Sequence, residues 1–178
     1  MAAKGGDRAA AAEFIRATSR DVHRFLGHLA HAGDVEDLGQ ETYLRAMRAL
    51  PGFDARSSAR TWLFAIARRV AADHVRLAMR RPRLASMVGW EDVVDARRDQ
   101  GVLAFDDGVV LRRLLGDLEP TRREAFVATQ VLGLSYSEAA EVCDCPVGTI
   151  RSRVSRARED LIAAMRVDEG HSRSLKSQ

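Results

Sequence analysis

The chain has 178 residues, 46% hydrophobic and only 6% aromatic, with a formal net charge of +3; that leaves too few aromatics for one large core and suits two modest helical modules. No apolar run approaches the roughly 20 residues a membrane span requires, and the N-terminus lacks the basic start and apolar core of a signal peptide. Membrane and secreted classes are therefore excluded, and a soluble, cytoplasmic protein is expected.

Helix-period patterns recur along the chain and strand-period alternation is nearly absent, so the expected fold is all-α. A first helix is predicted over about residues 9–31, where Phe14, Ile15, Thr18, Val22, Phe25, Leu26 and Leu29 recur at three- and four-residue intervals. Gly33 is expected to end it. A second helix runs from Asp34, a good N-cap, to Leu50, before Pro51 and Gly52. A third spans 59–80 and stops before Pro82. On the third, Leu63, Ile66, Ala67, Val70, His74 and Leu77 fall on one side, and Arg68, Arg69, Arg76 and Arg80 on the other. A core stripe and a basic stripe back to back describe a helix laid along a polyanion.

Charge is segregated along the chain. Arg56, Arg60, Arg68, Arg69, Arg76, Arg80, Arg81 and Arg83 stand against the lone acid Asp73, whereas Glu91, Asp92, Asp95, Asp99, Asp106 and Asp107 dominate the stretch that follows. Nearly all the positive charge is arginine, the residue suited to bidentate phosphate and base-edge contacts, although GC-rich coding gives the same skew. Between Pro82 and Gly108 the pattern loses periodicity, turns acidic and includes glycine, which marks a linker over 83–108 between domains at 9–82 and 109–166. Trp90, the one tryptophan of this stretch, is read as packing on a neighbouring helix in preference to a binding role.

After the linker come a short helix over 109–118, a helix opened by Pro120 and ended by Gly133, and then the Ser-x-x-Glu capping box Ser135-Tyr136-Ser137-Glu138 opening a short helix through Val142. A turn at Asp144-Cys145-Pro146 leads into a last helix from Val147, and residues 167–178 are expected to be a disordered tail. Cys143 and Cys145, one residue apart and with no further cysteine, suit neither a disulfide nor a metal site and read as structural. In the last helix Ile150, Val154, Ala157 and Leu161 share one face, while Arg151, Ser152, Ser155, Arg156 and Arg158 point largely away. A helix-turn-helix needs that division, one face for its own core and one free for DNA. Arginines there reach guanine edges or phosphates, serines bond to either, and Gly148 and Thr149 stand where free backbone amides suit a phosphate.

The stretch from Gly133-Leu134-Ser135-Tyr136-Ser137-Glu138 to Thr149-Ile150-Arg151-Ser152-Arg153-Val154-Ser155-Arg156 resembles the C-terminal DNA-binding domain of the extracytoplasmic-function sigma factors, two-domain subunits that carry bacterial RNA polymerase to promoters. Upstream, Glu36-Asp37-Leu38-Gly39-Gln40-Glu41-Thr42-Tyr43-Leu44 resembles the family's polymerase-binding helix, and Thr61-Trp62-Leu63-Phe64-Ala65-Ile66-Ala67-Arg68, through Asp73-His74-Val75-Arg76, its promoter-melting helix. The resemblance covers residues 14–161. It implies that Asp37, Leu38, Gln40, Glu41 and Leu44 meet core RNA polymerase. It implies that Arg56, Ser57, Ser58, Arg60, Arg68, Arg69 and Arg76 meet the minus-ten element as melted single strand, and that Thr149, Arg151, Ser152, Ser155, Arg156 and Arg158 read the double-stranded minus-thirty-five element. It also implies an anti-sigma factor as a partner. Two departures bear on base preference: the 56–60 loop lacks the aromatic that some relatives carry, and Arg69 stands where they commonly have asparagine. Trp62 is as suited to the core as to stacking on a base.

The alternative is a stand-alone helix-turn-helix regulator that binds its operator as a dimer, against which the basic stripe of the third helix argues. An enzyme is not expected: the carboxylates form no convergent pair, the histidines show no metal spacing, and neither catalytic residues nor a cofactor or metal are read from the sequence. The spatial expectation is of two separate small cores with the arginines on their outer faces.

Overall fold

The computed structural model describes residues 8–80 and 113–175, with side chains described as far as residues 78 and 166 within those stretches. Among the described residues the regular structure is entirely helical. Three helices form the N-terminal unit: α1 (Arg8–Leu29), α2 (Val35–Ala49) and α3 (Ala59–Arg80). Residues 113–117 are helical, and α4 (Pro120–Phe126), α5 (Tyr136–Cys143) and α6 (Val147–Leu175) follow. Trp90 and the predicted linker lie outside the described residues.

The N-terminal core is built from one stripe of each helix: Val22, Phe25 and Leu26 of α1, Leu38, Thr42 and Ala46 of α2, and Leu63, Ile66, Ala67 and Val70 of α3 are all buried. Phe25 and Phe64 meet edge to face at 5.4 Å, a geometry that adds to their apolar burial. The third helix has the bounds its sequence predicts, with Ser58 as its cap: the hydroxyl accepts from the Thr61 amide at 3.0 Å. In the C-terminal unit Leu115, Leu118, Ala125, Val127, Leu134, Val142, Ile150, Val154 and Ala157 are buried together.

Several local expectations are corrected. Asp34 makes no side-chain cap to α2; its carboxylate accepts from His74 Nε2 at 3.1 Å, so it ties α3 to the start of α2 instead. The first helix closes at Leu29, and Gly33 sits in a separate 3-10 turn without the positive φ of a terminating glycine. Gly133 does have that conformation, at φ 69°. Before it the chain widens from α4 into a π-helical turn at Val127–Val131, where an uninterrupted helix was expected. Leu77, assigned to the core stripe, is 56% exposed, because α3 outruns the helices packed on it. Glu119 caps α4 through both carboxylate oxygens, with the Thr121 and Arg122 amides as donors. The backbone of α6 remains helical to Leu175, past the point at which a disordered tail was expected.

The largest correction concerns the two cores. They are not separate: α3 packs against α5 as extensively as against α2, and α1 touches α4. The reason lies in a second flank of α3, turned roughly 120° from its core stripe at about 100° per residue. Thr61, Phe64 and Ala71 are buried there and Arg68 is partly covered. Small buried residues of α5, Ala139, Ala140 and Cys143, suit the close approach of such a neighbour.

Candidate nucleic-acid interface

The candidate DNA-contacting surface is built from the turn between α5 and α6. The capping box forms as its spacing predicts: Ser135 Oγ accepts from the Glu138 amide at 3.2 Å, and Glu138 Oε2 accepts from the Ser135 amide at 2.8 Å. The Ser135 amide and, after it, the Ser135 hydroxyl donating to Oε2 hold the Glu138 carboxyl below the usual carboxylate range. At the other end Asp144 adopts a left-handed conformation, φ 51°, and its amide and that of Cys145 bond back to Glu141 and Ala140 carbonyls, closing α5. The turn fixes α6 with Ile150, Val154, Ala157 and Leu161 inward and buried. On the other side Arg151, Ser152, Ser155, Arg156 and Arg158 are exposed, and Thr149 is half-buried at the helix start.

The arginines of this face differ in their neighbours. Arg151 and Arg156 pair with no acid among the described residues, whereas Arg158 donates to Gln130 Oε1 at 2.9 Å and Arg153 lies half-buried, 3.6 Å from Cys145 Sγ. Ser155 donates to Glu159 at 3.2 Å and Ser152 to the Thr149 carbonyl at 2.9 Å. Arg122 bonds Asp160 at 2.6 Å, which ties α4 to α6 beyond the polar face. A Cβ added to Gly148 would meet no protein atom within 4 Å, so packing does not require glycine there.

The minus-ten candidates do not form one free track. Arg69 and Arg76 are exposed, with Arg76 paired to Asp73 on its own helix. Arg56 is 88% exposed at the tip of the loop, beside Asp54, and the backbone turns there through Ala55 at φ 59°. Ser57 is half-buried, and Ser58 is exposed but engaged as the cap of α3. Trp62 is half-buried, its ring 4.9 Å from that of Phe53. Arg60 and Arg68, expected on the outer side, instead face the C-terminal unit. Arg60 lies over the Phe64 ring and donates to Asp21 at 3.1 Å and to the Leu132 carbonyl at 2.8 Å. Arg68 donates to Glu124 at 2.7 Å, the two side chains only 22% and 15% exposed. Thr61 reaches Glu138 Oε1 at 3.4 Å. Glu124, Glu138 and the Leu132 carbonyl thus occupy donors of α3, a role no local pattern in the sequence marks.

On α2, Asp37 and Gln40 are exposed, Leu44 is 53% exposed, and Glu41 is half-buried against Arg45 at 2.7 Å. Leu38, expected beside them on the surface, belongs to the core at 6% exposure, because Leu38, Thr42 and Ala46 fall one turn apart on the inward face. Both cysteines are free, and burial pushes the Cys143 thiol up to about 12, so it is a packing residue rather than a nucleophile.

The sequence pattern of Sigma-70 region 2 matches residues 14–81, and that of Sigma-70 region 4 matches residues 109–161. The chain is 52% identical over 168 residues to the ECF RNA polymerase sigma factor SigC of Mycobacterium tuberculosis, an alignment covering 94% of this chain and 89% of that protein. The chain belongs to the extracytoplasmic-function sigma factors. It is thus a bacterial sigma factor, a DNA-binding subunit that brings RNA polymerase to promoters for transcription initiation, and the stand-alone regulator is not favoured. A more distant sigma factor, the ECF RNA polymerase sigma-E factor of Escherichia coli K12, is 30% identical over 86% of this chain and 85% of its own. The fold matches sigma factor RpoE, solved with the anti-sigma factor NepR from Bartonella quintana, at a TM-score of 0.67 and 27% identity over 88% of this chain and 96% of that one. It also matches CnrH, solved with the cytosolic domain of CnrY, at a TM-score of 0.69 and 24% identity over 93% and 94% of the two chains. Among the described residues no helix is long and apolar enough to cross a membrane.

Proposed function

We propose that this sigma factor reads the minus-thirty-five element with α6, contacts the melted minus-ten strand with α3 and the 54–60 loop, and docks on core polymerase through α2. The observation that carries the reading is the division of α6: a buried apolar stripe fixes the helix, while Arg151 and Arg156 stand exposed on its other side with no acidic partner among the described residues. Guanidinium groups held this way serve both base edges and phosphates. Exposed Asp37 and Gln40 with Leu44 give α2 an acidic and apolar face suited to a basic partner helix. The protein acts in the cytoplasm by binding, without catalysing a reaction or carrying a cofactor. Its domains run over 9–82 and 109–166, and the acidic 83–108 stretch joins them, so two weak DNA contacts act as one through effective concentration. The likeness to RpoE, solved with the anti-sigma factor NepR, supports an anti-sigma factor as a further partner.

Arg60 and Arg68 are assigned to the minus-ten element yet engaged by the C-terminal unit. The reading therefore includes a shut state, in which the C-terminal unit covers part of the minus-ten track and core polymerase favours the separated one. The test is run-off transcription from genomic promoters with purified core polymerase. Specific transcripts that depend on this protein and disappear with Arg151→Ala plus Arg156→Ala are expected; retention of promoter-specific transcription by that double variant would overturn the assignment of α6.

A further inference from the structure

Each oxygen of one carboxylate on α3 is taken by a different arginine. Asp73 Oδ2 accepts from Arg45 Nη1 of α2 at 2.8 Å, and Oδ1 accepts from Arg76 Nη2, one turn further along α3. Arg45 is shared in its turn, because its Nε donates to Glu41 Oε1 at 2.7 Å. Glu41, Arg45, Asp73 and Arg76 thus form one row of alternating charge that crosses from α2 to α3. The two ends of the row carry different assignments, Glu41 to core polymerase and Arg76 to the minus-ten strand.

Glu41, Arg45 and Asp73 are half-buried and Arg76 is exposed, so the bonds of the row exchange at small cost. They also compete. The Arg45 hydrogen bond, ahead of that from Arg76, holds the Asp73 carboxyl below the usual carboxylate range, while the Asp73 bond, ahead of that to Glu41, holds the Arg45 guanidinium above its ordinary value. The charge of Arg45 is therefore divided between two carboxylates. The share that Glu41 takes leaves Asp73 more dependent on Arg76, whose charge is partly compensated before any phosphate reaches it.

We propose that Arg45 is a positioning residue that couples the two binding faces: when a basic partner helix draws Glu41 away, Arg45 is left to Asp73 alone, the hold of Asp73 on Arg76 slackens, and Arg76 is released to the single strand. Occupation of the polymerase face then strengthens contact with the melted minus-ten element, and linkage requires the strand to strengthen polymerase binding by the same factor. The inference rests on the assignment of α3 and α2 to those two partners.

Glu41→Gln removes the charge that the partner would draw off, and so reproduces its effect in the protein alone. The experiment is fluorescence titration of a labelled single-stranded minus-ten oligonucleotide with the full-length protein at about 50 mM salt, where phosphate contacts are least screened. Glu41→Gln is expected to bind roughly two- to fivefold more tightly than the wild type, the range suited to partly wetted ion pairs. Arg45→Gln should bind more weakly than the wild type, and adding Glu41→Gln to it should change nothing. Asp73→Asn frees Arg76 outright; it should bind more tightly, and Glu41→Gln should again add nothing. A gain in affinity is not what loss of a merely structural contact produces. Unchanged binding by Glu41→Gln would overturn the proposal, and so would an equal gain in the Arg45→Gln background, which would be charge acting through space. Arg76→Ala separates the two layers. If it weakens oligonucleotide binding while Glu41→Gln changes nothing, only the role of Arg45 falls; if no binding depends on Arg76, its assignment to the strand falls and takes this inference with it.

Discussion

Arg68 Nε lies 2.7 Å from Glu124 Oε2, and the pair links the helix assigned to the minus-ten element to the first turns of the DNA-reading unit. Burial alone would pull the guanidinium down, but the Glu124 hydrogen bond and charge hold it above its ordinary value. Breaking one side of a buried pair leaves an uncompensated charge; with these side chains still partly wetted, the cost of Glu124→Gln should be about 1–2 kcal/mol. The variant should unfold at lower urea and bind a single-stranded minus-ten oligonucleotide several-fold more tightly, because Arg68 is released to the strand. Equal oligonucleotide affinity in the variant and wild type would dismiss the shut state.

That relationship was invisible in the sequence for a physical reason. Sorting the residues of α3 by angle separates Leu63, Ile66, Ala67 and Val70 from Arg69 and Arg76, and the structure keeps that separation. Arg68 stands on the boundary, beside Phe64 and Ala71, and which way a boundary residue faces depends on a neighbour that a single helix does not specify. The capping box at Ser135 and the stripe of α6 were legible because their partners lie within a few residues. Leu38 was legible in principle: Leu38, Thr42 and Ala46 repeat every fourth residue, but the family resemblance drew it to the surface. The π-helical turn at Val127–Val131 has no sequence signal that we can identify.

Arg151→Ala with Arg156→Ala should leave folding and core-polymerase binding unchanged, since both side chains are exposed and neither pairs with an acid among the described residues. Each guanidinium on a base edge or phosphate is worth about 1–3 kcal/mol, so the affinity for duplex minus-thirty-five DNA should fall at least tenfold and its salt slope should lessen by about one for each phosphate no longer neutralised. Mobility shifts at two salt concentrations, set beside co-purification with core enzyme, measure both. Loss of polymerase binding in this variant would refute the division of labour.

Gly148→Ala separates a folding role from a DNA role. The added methyl meets no protein atom within 4 Å, and alanine loses less backbone freedom on folding than glycine, so stability should be unchanged or higher by about 0.5–1 kcal/mol. Yet the methyl would stand at the start of α6, where backbone amides suit a phosphate, and duplex affinity should drop several-fold. Thermal melts with anisotropy titrations test the pair of outcomes. A variant that binds the duplex as well as the wild type would remove the phosphate contact at this helix start.

Acid should loosen the protein through Glu138. Its carboxyl is held below the ordinary value, first by the Ser135 backbone bond, then by the Ser135 hydroxyl and by Thr61, so the folded state binds the proton less readily than the unfolded chain. The sign follows: this contribution is fully present above the unfolded value of about 4.3 and is lost as pH falls through the lower folded value. Asp73, lowered chiefly by the Arg45 hydrogen bond, adds a second contribution of the same sign. The thermal midpoint should be flat near neutrality and fall as pH drops below about 5. Glu138→Gln keeps much of the capping geometry and removes the titration, so its midpoint should start roughly 2–4 °C lower and decline less steeply, and adding Asp73→Asn should flatten the decline further. Because Glu138 also reaches Thr61 across the interface, the same acidification should raise oligonucleotide binding in the wild type more than in Glu138→Gln. Parallel curves for the two proteins would show that this carboxylate does not couple the capping box to the contact between the two units.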